Sequence, residues 1–203
     1  RTSSALIEVA SEHPARVSLE QPRVAAAYAH YFDATVARVD RLIGSVPASE
    51  RPHVLYCDLV RLTQPQLIGE WWIRKAGGVS VTDNGRTTQS ITFTLEQLLA
   101  WDPQVMIVTG ARQRALAYGD PRLRGVTAVR NRRVYVSPCG AHLWANRTSE
   151  EPLMVLWAAR TLHPHRCAQV DLTREAYQFY ADFFGVRLTA AQINAILQGE
   201  QAG

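Results

Sequence analysis

Lys75 is the only lysine among the 22 cationic residues of this 203-residue chain. The others are arginines, scattered except for small concentrations at 112–114 and 130–133. A nucleic-acid-binding stripe gathers its cations on one helix face or interleaves them with aromatic residues, so this pattern excludes one despite the formal charge of +4. Hydrophobic runs are short, none approaching the roughly 20 residues of a membrane-spanning helix. Cysteine is scarce: Cys57, Cys139 and Cys167 are far apart, match no metal-ligand spacing, and as an odd number exclude a fully paired disulfide framework. Cys57 reads either as a small core hydrophobe or as a partner of Cys139, should their two strand ends be neighbours. Neither GxGxxG nor GxxxxGK[ST] occurs, which argues against a dinucleotide enzyme or a P-loop ATPase, and without GxSxG an α/β-hydrolase lacks its nucleophile. There is no internal repeat and no low-complexity segment. Arg1 is not an initiator Met and the first twenty residues contain no apolar core of an export signal, so the expectation is a processed, trimmed or excised chain.

What is present is globular: 47% apolar residues, 20% charged, and a length suited to one well-buried domain. Residues 1–21 are weakly patterned, with a short helix expected at 4–11 and a link through Pro14. Pro22 then opens a long helix in which Val24, Ala27, Tyr28, Tyr31, Phe32, Thr35, Val36 and Val39 recur at three and four, up to Gly44. Residues 53–57, 105–108 and 134–136 read as strands. Helices are expected at 67–76, stopped by Gly77 and Gly78, at 111–118 and at 173–184. Thr94 with Gln97, and Thr189 with Gln192, make capping boxes for two further helices. Strands alternating with helices imply an α/β fold with a doubly wound, mostly parallel sheet.

The chemistry concentrates in residues 133–164, RVYVSPCGAHLWANRTSEEPLMVLWAARTLHP. A short strand runs into a loop that carries His142, Trp144, Asn146 and Arg147, and then into a helix that Ser149 is expected to cap. In open α/β sheets, ligands sit on loops leaving the carboxyl ends of strands. Arg147 can hold a carboxylate, an oxyanion or a chelate edge by a bidentate fork, Trp144 can wall a planar chelate, and His142 can donate to an oxyanion or ligate an open iron position. The alternative is that Trp144 packs beneath the loop and Arg147 pairs with Glu150 or Glu151. The earlier loop, from Asp58, offers Asp58 and Arg61 as further ligand candidates. His163-Pro-His165, two imidazoles around a proline, reads as a helix-end feature that meets terminal carbonyls and not as a metal site. Asn146-Arg147-Thr148 matches a glycosylation sequon of a kind that arises by chance.

The motifs around this loop, its strand ending in Pro-x-Gly, the Glu-x-Pro-Leu-x-x-Leu-Trp-x-Ala helix and the Leu-x-Pro close, resemble the last lobe of the substrate-binding proteins of metal-chelate ABC importers (class III). EWWIRKAGGVSV, with Ser80 where Asn is usual, TLEQLLAWDPQVMIVTG, and the tail VDLTREAYQFYADFFGVRLTAAQINAILQG extend the likeness over about 22–199. The resemblance implies that 22–45 is the rigid helix connecting two lobes, 46–203 a Rossmann-like C-terminal α/β lobe, and 1–21 a remnant or linker too short for the N-terminal lobe such proteins have. It implies a binding protein and no enzyme, without a permanent cofactor or a resident metal. The ligand would be an iron(III) siderophore or a related anionic metal chelate, with molybdate or tungstate oxyanions and haem as alternatives in the same family. A monomeric periplasmic or lipid-anchored protein would deliver that ligand to a membrane permease, docking through Glu96. A chelatase-like or nitrogenase-like enzyme domain is the alternative of a different class; it would need an acid, a base or a redox ligand set converging in the cleft.

Overall fold

The computed structural model describes residues 17–200, with side chains from residue 23. The short helix expected at 4–11 and most of the linker 1–21 lie outside the described residues. Helix α1 runs over Val17–Ile43. It begins ahead of Pro22, which was expected to open it; a proline near a helix start removes one backbone hydrogen bond without ending the helix. The elements that follow are β1 (His53–Cys57), β2 (Thr63–Gln64), α2 (Ile68–Lys75), β3 (Val79–Ser80), β4 (Ile91–Thr92), α3 (Leu95–Trp101), β5 (Val105–Val108), α4 (Ala111–Gly119), α5 (Thr127–Arg130), β6 (Val134–Val136), α6 (Glu151–Leu162), α7 (Leu172–Phe184) and α8 (Ala190–Leu197).

Four strands form a parallel sheet in the order β3-β1-β5-β6, while β2 and β4 make a small antiparallel ribbon. The sheet is doubly wound because its strands are buried on both faces. Val54, Tyr56, Val105 and Ile107 belong to one core, shared with α1, α2, α6, α7 and α8. Leu55, Cys57, Met106 and Val108 alternate with them into a second core, under α3, α4 and α5. This is why β5 reads VMIV, apolar at every position. The chain steps from β1 outward to β3, then returns across β1 to β5 and β6. The switch point therefore lies between the carboxyl ends of β1 and β5, where ligands bind in folds of this type.

Local chemistry sets the helix ends. The Thr94 hydroxyl accepts from the Gln97 N–H at 3.2 Å, while Gln97 Oε1 accepts from the Thr94 N–H at 2.8 Å. Thr189 and Gln192 repeat this box at α8. Gly77 ends α2 at φ +80°, where a side chain would be strained. His163 meets the carbonyl of this same glycine, its Nε2 3.1 Å away, so it tethers α6 to the end of α2 and not to its own helix carbonyls. Cys57 is a buried free thiol, pushed above its ordinary pKa by burial and, secondarily, by Asp58. β5 separates β1 from β6, so the strand ends bearing Cys57 and Cys139 are not neighbours.

Candidate ligand-binding site

The loop after β6 is the longest at the carboxyl edge of the sheet, and buried polar bonds hold it. Trp72 Nε1 donates to the carbonyl of Ala145 at 3.1 Å, and the Tyr56 hydroxyl donates to Asn146 Oδ1 at 3.1 Å. These two bonds draw residues 145–146 from the sheet-edge strand β6 back over the core to the end of β1. Burial, with smaller contributions from Cys57 and Asp58, raises the Tyr56 phenol above its ordinary pKa and keeps it a hydroxyl donor. Tyr28 on α1 donates to the carbonyl of Ser149 at 2.9 Å, which ties the far end of the loop to the long helix.

Ser149 does not cap α6. The N-cap residue is Glu150, whose side chain makes no capping bond. Its N–H is received by the Thr148 hydroxyl at 3.2 Å, and its carboxylate turns back beneath the loop. Oε1 accepts from the Ala141 N–H at 2.8 Å, the His142 N–H at 3.2 Å and the Tyr180 hydroxyl at 3.1 Å. Tyr180 in turn accepts from Trp144 Nε1 at 3.1 Å.

Trp144 has no exposed surface. Of its two expected roles, a wall for a planar chelate or packing beneath the loop, the structure shows the second: the indole is buried and donates to Tyr180. Asp58 also turns to structure: its Oδ1 accepts the N–H groups of Val60 and Arg61 at 3.0 Å each, and Arg61 Nη1 lies 3.6 Å from Oδ2. This carboxylate shapes the turn that leads from β1 to β2. The Arg61 side chain is 81% exposed. Arg147 is exposed as well. Burial raises the half-buried Glu151 carboxyl above its usual range and the Arg147 guanidinium pulls it partly back, so the expected partnership with Glu151 is present as a weak charge contact. Asn146 places Arg147 beside the end of β1, and Arg61 leaves the same strand end. The structure thus ties the loop that carries Arg147 to β1, the strand from which the Arg61 loop leaves, while the exposed His142 ring lies beside Glu150.

A second polar cluster was not foreseen. Glu70 in the first turn of α2 and Arg86 in the 81–90 loop form an ion pair at 3.0 Å, with both side chains only 6% exposed. Glu70 Oε1 also accepts from Gln64 Nε2 at 2.9 Å and the Thr82 hydroxyl at 2.8 Å, and Arg86 Nη1 donates to the carbonyl of Thr88 at 2.6 Å. Because Arg86 already neutralises Glu70, the cluster braces the loop after β3. Sixteen residues separate the pair in sequence, so no local spacing announces it.

Glu96 is exposed in the first turn of α3. Its carboxyl is held below the ordinary range by its own backbone N–H and then by the Thr94 hydroxyl. Beside it, a hollow of ≈ 210 Å³ is lined by Val60, Leu62, Leu95 and Leu116 among others. A larger hollow of ≈ 430 Å³, lined by Arg51, His53, Asp102 and Gln104, lies at the amino-terminal edge of the sheet, away from these groups.

The chain is thus an open doubly wound lobe with a long helix leading into it and exposed arginines, Arg61 and Arg147, on loops that follow β1 and β6. No family model matches the sequence, and no curated protein does. Among solved structures, the chain is similar to a periplasmic solute-binding protein from Veillonella parvula, with 24% identity over 88% of this chain and 56% of that one and a TM-score of 0.76. It is similar to an ABC transporter solute-binding protein from Sulfurospirillum deleyianum, with 22% identity over 96% of this chain and 60% of that one, TM-score 0.76. It is also similar to MolA, the molybdate periplasmic binding protein of Haemophilus influenzae, with 20% identity over 81% and 51%, TM-score 0.72. The chain has the fold of class III periplasmic solute-binding proteins and spans somewhat more than half the length of these structures.

Proposed function

We propose that residues 22–203 form the C-terminal lobe, with its connecting helix, of the substrate-binding component of an ABC importer. The protein captures an iron(III) siderophore or a related anionic metal chelate in the periplasm, free or lipid-anchored, and hands it to the membrane permease. The observation that supports this reading is that two exposed arginines lie on loops tied to β1: Arg61 on the loop that leaves the strand, and Arg147 next to Asn146, which accepts from Tyr56 near the strand's end. An arginine fork there can grip the anionic edge of a chelate. That the similar solved structures are by their names solute-binding proteins supports binding over catalysis. Capture is reversible and no bond is made or broken. Delivery uses Glu96, whose exposed carboxylate in the first turn of α3 suits a charge-assisted contact with a permease arginine. The likeness to MolA, solved with molybdate bound, favours a second reading in which the same arginines hold a molybdate-type oxyanion.

The test is a titration of the native protein, recovered from its host's periplasm, with a ferric catecholate, a ferric hydroxamate and molybdate, followed by tryptophan fluorescence. One of them is expected to bind, and Arg147→Ala to weaken it by about tenfold or more, the worth of a charge-assisted hydrogen bond. Glu96→Ala is expected to leave that affinity unchanged and to reduce uptake in cells. Failure of all three ligands, or location of the native protein in the cytoplasm, would overturn the reading.

A further inference from the structure

Glu150 is buried, charged by type, and unused by the binding scheme above. Its side chain has no exposed surface. Three donors converge on Oε1, whereas Oε2, equally buried, has no hydrogen-bond partner. The group facing Oε2 is Nδ1 of His142, 3.6 Å away on a side chain that is 65% exposed. A buried carboxylate oxygen without a donor is costly, and a small rotation of the exposed ring brings an Nδ1–H onto it. The loop is built around this carboxylate: a Cβ on Gly140 would lie 2.9 Å from Glu150 Oε1 and would fall on the Tyr180 hydroxyl.

We propose that Glu150 is a positioning residue that holds the proton of His142 on Nδ1, so that Nε2 presents a lone pair to the cleft and fills an open coordination position of a ferric chelate. This rests on the importer reading and narrows its ligand to a chelate that leaves iron unsaturated. A carboxylate behind a ligating imidazole fixes both its tautomer and its orientation. Among the described residues no three His, Cys, Asp or Glu side chains converge as a metal site. The iron must therefore bring most of its donors with it, and a single imidazole suffices to complete its coordination.

The three donors on Oε1 make one substitution decisive. In Glu150→Gln the amide oxygen has to replace Oε1, since only an acceptor satisfies Ala141, His142 and Tyr180. The amide NH2 then replaces Oε2 and donates to Nδ1. The loop is preserved, but the proton of His142 moves to Nε2 and the lone pair is lost from the cleft.

The experiment is a set of long-range 1H–15N spectra of the 203-residue chain at about pH 8, above the ordinary range of imidazole titration. Ferric nitrilotriacetate, which leaves iron positions open, and a hexadentate ferric trihydroxamate, which leaves none, are then added in turn. The Nδ1–H tautomer is expected for His142 in the wild type and the Nε2–H tautomer in Glu150→Gln. Ferric nitrilotriacetate is expected to broaden the His142 signals selectively while the trihydroxamate does not, and affinity is expected to fall about 10- to 100-fold in Glu150→Gln and in His142→Ala. His165→Ala, past the far end of α6, serves as the control and is expected to change neither result. An Nε2–H tautomer in the wild type overturns the positioning role whatever the ligand. The expected tautomers without selective broadening overturn the ligation. The importer reading itself is tested separately, and fails if the ferric catecholate, the ferric hydroxamate and molybdate all leave the native protein unaffected or if that protein is found in the cytoplasm.

Discussion

Gly140→Ala probes the packing on which the candidate site stands. The added Cβ falls on the Tyr180 hydroxyl, and lies 2.8 Å from Tyr180 Cζ and 2.9 Å from Glu150 Oε1. Tyr180 and Trp144 have no exposed surface, so the ring has no free space to enter. Overpacking a filled core costs about 1–3 kcal/mol. Displacing the hydroxyl also breaks its 3.1 Å bonds to Trp144 Nε1 and Glu150, and a buried donor left without an acceptor costs about 1–3 kcal/mol more. The expected loss is about 4 kcal/mol, a fall in Tm of about 8–16 °C for a chain of this size. Tyr180→Phe alone removes the bonds and not the packing, so it is expected to cost about 1–3 kcal/mol. In the double variant the methyl added at position 140 occupies the space vacated by the hydroxyl. The two changes should therefore be less than additive, by about 1–2 kcal/mol. Urea unfolding followed by tryptophan fluorescence measures all four corners of the cycle. Additivity within about 0.5 kcal/mol would refute the reasoning, because independent sites add to that tolerance.

Two further outcomes are expected. Arg86→Met leaves the Glu70 carboxylate buried without its cation and should destabilise the chain by about 3–5 kcal/mol in urea unfolding; a cost below about 1 kcal/mol would mean that the pair is solvated. His163 has its pKa lowered, first by burial, with Arg166, Arg133 and Arg51 adding to the effect and the bond to Gly77 opposing it. The folded state then binds fewer protons at this ring than the unfolded state, so stability is full above the ordinary value of 6.5 and declines as pH falls through the folded value. Urea midpoints measured between about pH 7.5 and 5 should drop more steeply in the wild type than in His163→Gln, and parallel curves would contradict this.

Much of the fold was legible because its signals are local. β5 is apolar at every position because both of its faces are covered, and that run of four residues is visible in a short window of sequence. The two capping boxes are closed by side chains three residues apart, so Thr94 with Gln97 and Thr189 with Gln192 could be read directly. A residue's type and its neighbours determine such features before the chain has collapsed. The family likeness, carried by short motifs spread along the chain, extended this to the order of strands and helices.

The candidate site was legible only in part. The loop that would carry it was evident from its position after a strand, and Arg147 on it is exposed. Which side chains face solvent and which serve the core was decided by partners far away in the chain. Trp144 is buried because Tyr180, 36 residues on, accepts its N–H. Asn146 lies at β1 because Tyr56, 90 residues earlier, donates to it. Glu150 reads from sequence as an acidic residue of a first helical turn that could pair with Arg147. Only the packing of α7 under the loop supplied the hydroxyl and enclosed the carboxylate. Sequence alone thus determined the main strands and helices and the two capping boxes, which depend on contacts within one turn or strand, but not the starts of α1 and α6; tertiary structure decided the roles of Trp144, Glu150 and Arg86, since burying a polar group requires partners that only the folded chain brings together.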